Sequence, residues 1–241
     1  MSRDARQFRS LVFAVFDALQ LDPQTMPLGP VHPYVAPVYP PMGRDALQKF
    51  LPDPDNERFL SDHAQGRRAF IYLKPPEKAS RSLPVLNLNC DFSGSLPNVG
   101  LRLAFFLLDD DKRPVSIGFR FETPHGVDGE EGLHDYYHAQ PINSFFKDSD
   151  NLLNCPPWLP CKLPAFPLQA QTPVELLSCL LLSIYGRDGI RRVMEAGRDD
   201  RVLQDSLGKF MTSMEDSRRA RMRQAAAGSG APSGKKGRRG K

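Results

Sequence analysis

Three of the five histidines in this 241-residue chain fall within residues 119 to 142, FRFETPHGVDGEEGLHDYYHAQPI, among carboxylates, tyrosines and an amide. An imidazole beside a carboxylate suits general acid–base chemistry, because the carboxylate orients the ring and favours its charged form. The same side chains bind zinc or manganese when their spacing brings three ligands together.

Spacing separates these chemistries. In a strand, His134, Tyr136, His138 and Gln140 share one face, and the two histidines stand ~13 Å apart, too far to hold one ion directly. In a helix they are one turn apart and could share zinc, given a third ligand such as Glu122, His125 or His63. Adjacent tyrosines and the glycine-rich HGVDGEEG favour the returning arm of a hairpin, and Gly132 would weaken a helix by ~1 kcal/mol relative to alanine. On that reading no metal site is assigned and no cofactor is expected, with zinc or manganese left open for the helical geometry. Pairing with the strand before it would set His134 or His138 beside Arg120 or Glu122. Glu122, His134 and His138 are therefore the candidate catalytic set. Arg120, Tyr136 and Gln140, with the proline-flanked Trp158, are the candidate partner-binding set, because aromatic residues and arginine anchor interfaces. The favoured use of this segment is a polar sheet face or partner surface.

No H-E-x-x-H, Walker loop, G-x-S-x-G or G-x-G-x-x-G occurs, and FSGSLPNVG lacks the lysine of a phosphate loop. Cys90 and Cys179 fall in apolar runs and read as core, while Cys155 and Cys161 lie in the proline-rich NCPPWLPC without a neighbouring base. No disulfide framework is implied.

The net charge of +4 conceals an asymmetry: Asp216 to Lys241 hold nine Lys/Arg and one acid, which leaves the preceding residues at −4. An evenly basic nucleic-acid surface is thereby disfavoured. A basic tail contacting phosphates is not, and Arg218, Arg219, Arg221, Arg223, Lys235, Lys236, Arg238, Arg239 and Lys241 are its candidate polyanion contacts. The tail has no aromatic residue for base stacking. No run approaches the ~20 apolar residues of a membrane span, and the N-terminus lacks a secretory block, so a cytoplasmic protein is expected.

The elements that must position these residues can be read from periodicity. Phe8, Leu11, Val12, Val15, Phe16 and Leu19 mark an amphipathic helix over 3–20. Nine prolines between 22 and 54 predict a strap packed on the domain, followed by a short helix near 44–51 or 55–65. RAFIYLK, PVLNLNCDF, VGLRLAFFLL and VSIGFRFE read as meander strands, with DDDKRP as a hairpin turn. Thr172, Pro173 and Glu175 cap a helix that is apolar nearly all round and ends at Gly186, and Asp188 and Asp199 or Asp200 begin two more. Val202, Leu203, Leu207, Phe210, Met211 and Met214 form the inward stripe of the last. SRRARMRQAAA can continue that helix into solvent.

A strand meander, then FETPH, later Cys155 with Trp158 three residues on, and then a capped helix resembles ubiquitin-conjugating domains. The His-Pro-Asn tripeptide of that family is absent. The resemblance implies Cys155 as a nucleophile.

The expected architecture is α+β: one antiparallel sheet of about four or five strands with an N-terminal helix and a helical C-terminal third. A single domain would occupy 1–215 (strap 22–54, sheet 68–142, helices 172–215), with a basic, mostly disordered tail over 216–241. The expected function is a non-enzymatic accessory protein in a complex, with a protein partner and nucleic acid or another polyanion at the tail. A His/Glu-based or metal-dependent hydrolase or nuclease is the rival. Oligomeric state is not readable.

Overall fold

The computed structural model describes residues 3–21, 30–51, 69–92, 97–124, 137–142 and 166–228. The amphipathic N-terminal segment forms α1 (Arg3–Leu19), and Phe8, Leu11, Val12, Val15, Phe16 and Leu19 are all buried. The described part of the proline-rich strap follows. Pro33 lies in the first turn of α2 (His32–Val35), where its missing N–H costs nothing, and α3 (Arg44–Phe50) takes the nearer of the two predicted helix positions. The alternative at 55–65 lies outside the described residues.

Six strands then form one sheet in chain order: β1 (Ala69–Tyr72), β2 (Leu83–Asp91), β3 (Asn98–Leu108), β4 (Pro114–Glu122), β5 (His138–Ile142) and β6 (Phe166–Pro167). Every neighbouring pair is antiparallel. The strand beyond the expected four or five is β6, only two residues long, where Pro167 offers no N–H to extend a ladder. The turn between β3 and β4 uses the acidic run as expected: the Asp109 carboxylate accepts from the Arg113 N–H at 2.7 Å.

Alternation along the strands divides the sheet into two apolar faces. Ile71, Leu86, Leu88, Val99, Leu101, Leu103 and Phe121 join the helices in the main core. Phe70, Tyr72, Val85, Ala104 and Phe106 point the other way and are covered by Leu21, Val31, Val35 and Tyr39. The strap is thus a structural layer. It also closes the outer edge of β1, since Leu21 N–H donates to the Tyr72 carbonyl and Met42 N–H to the Phe70 carbonyl, each at 2.8 Å.

Helix α4 (Pro173–Ala196) starts at the predicted cap: Thr172 Oγ1 accepts from Glu175 N–H at 3.2 Å, and the Glu175 carboxylate reaches back to Gln171 N–H at 2.7 Å. Gly186 takes φ 63°, a conformation that suits glycine, but it interrupts the helix instead of ending it, and the chain resumes helical geometry to Ala196. Asp200 accepts from Leu203 N–H at 3.0 Å and opens α5 (Arg201–Gly228). Leu203, Leu207 and Phe210 are buried, with Met211 and Met214 packed against them. Val202 departs from the expected stripe and is 49% exposed, because one residue of helix turns it ~100° away from Leu203. Residue 215 lies inside α5, so the expected domain boundary falls within a continuous helix. Among the described residues no helix is long and apolar enough to cross a membrane.

Candidate functional site

On the strap-covered side, the sheet changes from apolar to polar partway along the strands. Alternation sends Arg120 and Glu122 of β4 to this side, and the pairing sets Glu122 opposite His138 and Arg120 opposite Gln140. The sequence-predicted neighbours therefore meet. His138 Nε2 lies 3.4 Å from Glu122 Oε2, and Arg120 Nε lies 3.3 Å from the same oxygen. Arg120 also donates through Nε and Nη2 to Gln140 Oε1, at 3.1 and 2.6 Å. One carboxylate oxygen thus faces an imidazole and a guanidinium, and one amide oxygen fixes that guanidinium across the β4–β5 boundary.

Access differs along this group. The His138 side chain has no exposed surface, Glu122 is 11% exposed and Arg120 is 31% exposed. The outer end, Arg120 with Gln140, reaches solvent, whereas the imidazole is sealed. A buried ring held beside a carboxylate can stabilise the β4–β5 pairing. Direct proton exchange with a substrate would require His138 to become accessible.

His134, Tyr136, Trp158, Cys155, Cys161, His63 and His125 lie outside the described residues. Among the described residues no three His, Cys, Asp or Glu side chains cluster as a metal site. Cys90 and Cys179 are buried, as their apolar surroundings in sequence suggested. Burial, reinforced by the charge of Glu175, pushes the Cys179 thiol up to about 11, so little thiolate exists at neutral pH. Native protein exposed to iodoacetamide at pH 8 should therefore leave Cys90 and Cys179 unmodified by peptide mapping, with both labelled after denaturation. Rapid native labelling of Cys179 would contradict its buried, protonated state.

Among the described side chains of α5 the last buried one is Phe210, and Arg218, Arg219, Arg221 and Arg223 are all exposed further along the helix. Arg219 lies 3.8 Å from Glu215 and 4.0 Å from Asp216. Glu215 is also engaged by Arg187 at 2.9 Å. Among the described residues, Arg218, Arg221 and Arg223 form no ion pair. Lys235, Lys236, Arg238, Arg239 and Lys241 lie outside the described residues.

Sequence reading missed Arg102. Register places it directly opposite Arg120, with Asn87 on its other side, so a row Asn87–Arg102–Arg120–Gln140 crosses four strands. Within VGLRLAFFLL a lone arginine gives no sign of its neighbours, which depend on long-range pairing. The fold is therefore an α+β meander with helices on one face and a strap on part of the other, and its most concentrated described polar side chains lie on that second face beside the part packed against the strap. Comparisons with protein-family models, curated proteins and solved structures found no match.

Proposed function

We propose that this chain is a non-enzymatic interaction protein that works within a cytoplasmic complex, docking a protein partner on the polar sheet face and a polyanion on its C-terminal arm. The observation that carries the reading is the continuation of α5 to Gly228, beyond Phe210, the last buried one among its described side chains. A helix that leaves its core and then presents four exposed arginines is shaped for electrostatic contact with phosphates or another acidic surface. Nucleic acid is the leading polyanion. The acidic balance of residues 1–215 confines this attraction to the arm and tail.

The hydrolase reading has one observation in its favour, the 3.4 Å approach of His138 to Glu122. The complete burial of His138 weighs more heavily against it.

Replacing Arg218, Arg219, Arg221 and Arg223 with glutamine keeps a helix-compatible side chain at every position. Binding to duplex DNA should weaken, and the slope of log K against log salt should become shallower by up to about 3.6 if all four contact phosphates, since each phosphate contact contributes roughly 0.9. Removal of residues 216–241 should weaken it further. An unchanged slope in both variants would remove the arm from the proposed function.

A further inference from the structure

The arm of α5 begins at a set of ion pairs that joins it to α4. Gly186 breaks α4, and Arg187, the first residue after the break, reaches across to α5. Its Nη1 lies 2.9 Å from Glu215 Oε1. The other oxygen of that carboxylate, Oε2, lies 3.8 Å from Arg219 Nη2. One carboxylate therefore sits between two guanidinium groups that come from two helices. Asp216, the next acid, approaches Arg219 only to 4.0 Å.

Access and position decide what this arrangement can do. All three side chains reach solvent: Arg187 is 42% exposed, Glu215 38% and Arg219 70%. Ion pairs this accessible contribute little net stability, so an incoming anion can replace the internal carboxylate at small cost. Arg219 and Arg223 follow Glu215 at four-residue steps, ~6 Å apart along one side of the helix. Arg187 thus stands at the head of a line that the arm's own arginines continue, although it belongs to another helix.

We propose that Arg187 and Arg219 form the first phosphate subsite of the arm, which Glu215 occupies in the free protein until nucleic acid displaces it. This inference rests on the reading of the arm as a polyanion contact, and adds to it a second helix and an internal competitor. Guanidinium groups hold phosphate and carboxylate oxygens with the same charge-assisted geometry, so one anion can exchange for the other. The exchange leaves a signature in salt dependence. An arginine that meets a phosphate releases counterions from the nucleic acid, whereas Glu215 attracts a cation as it leaves, which offsets that release. Glu215 therefore lowers both the affinity and its salt dependence.

The test is duplex-DNA binding by the full chain and its variants across a salt series. Glu215→Gln should raise affinity about threefold, as loss of a competing exposed ion pair implies. It should also steepen the slope of log K against log salt by up to about 0.9. Asp216→Asn removes the same charge one residue further on, and should give a clearly smaller gain. Arg187→Gln should abolish the gain of Glu215→Gln, whereas Arg187→Lys, which keeps a point charge for phosphate, should preserve it. Equal gains from Glu215→Gln and Asp216→Asn would reduce Glu215 to its net charge and overturn the competitor. A Glu215→Gln gain that survives Arg187→Gln would overturn the α4 half of the subsite. Both results are separable from the role of the arm itself, which the variant with glutamine at Arg218, Arg219, Arg221 and Arg223 reads. If that variant binds as tightly as the parent, the polyanion reading falls and this subsite falls with it.

Discussion

Replacing Tyr39 with alanine is expected to lower unfolding free energy by about 3–5 kcal/mol, the range for truncating a large buried aromatic side chain. Tyr39 is 1% exposed, and its ring centroid lies 5.3 Å from that of Phe70 and 5.7 Å from that of Phe106. It is the largest side chain that the strap contributes to the second core. Its backbone carbonyl also accepts the buried Tyr72 hydroxyl at 2.9 Å. Truncation would thus open a cavity over β1 and β3 and loosen the segment that satisfies Tyr72. Domain stabilities are typically ~5–15 kcal/mol, so the variant should be visibly compromised in urea unfolding. Tyr39→Phe, which keeps the ring, should retain most of the stability. A loss below ~1 kcal/mol in Tyr39→Ala would mean that the strap is peripheral, despite its burial.

The strap illustrates what sequence could and could not specify. Nine prolines exclude a long helix or a central strand, and Val31, Val35 and Tyr39 among them point to burial. Which sheet face they cover depends on Leu21 and Met42 meeting β1, contacts that no local pattern encodes. The β4 strand was legible for the opposite reason. Its strict alternation fixes both the element and its polar side, and a hairpin return was enough to anticipate a histidine beside Glu122. The same alternation does not say that the second guanidinium in the row comes from β3, because Arg102 becomes a neighbour of Arg120 only through the strand register. The two-residue β6 is too short to show a period. At the C-terminus, the end of the apolar stripe at Met214 marks where α5 leaves the core, while the exposure of Val202 follows from the angular position set by the Asp200 cap.

Glu122→Leu is expected to lower stability by about 2–3 kcal/mol, because it strips a shared partner from two groups that cannot both reach water. His138 is wholly buried and Arg120 is 69% covered, and both lie within 3.4 Å of the same Glu122 oxygen. The estimate stays below the full cost of breaking a buried ion pair, since the outer end of Arg120 is solvated and Gln140 still accepts from it. Combining Glu122→Leu with His138→Leu also replaces the buried imidazole that faced the carboxylate with apolar volume. That double variant should recover at least 1 kcal/mol of the loss, a coupling readable from a double-mutant cycle in urea. The sign of the single variant separates the two functional readings. Carboxylates maintained for catalysis are often held at a cost to the fold, so their removal tends to raise stability. A structural pair gives the opposite sign. A melting temperature that rises in Glu122→Leu would therefore favour the hydrolase reading, whereas a fall that His138→Leu partly restores would place Glu122 and His138 in the framework that holds Arg120 toward a partner.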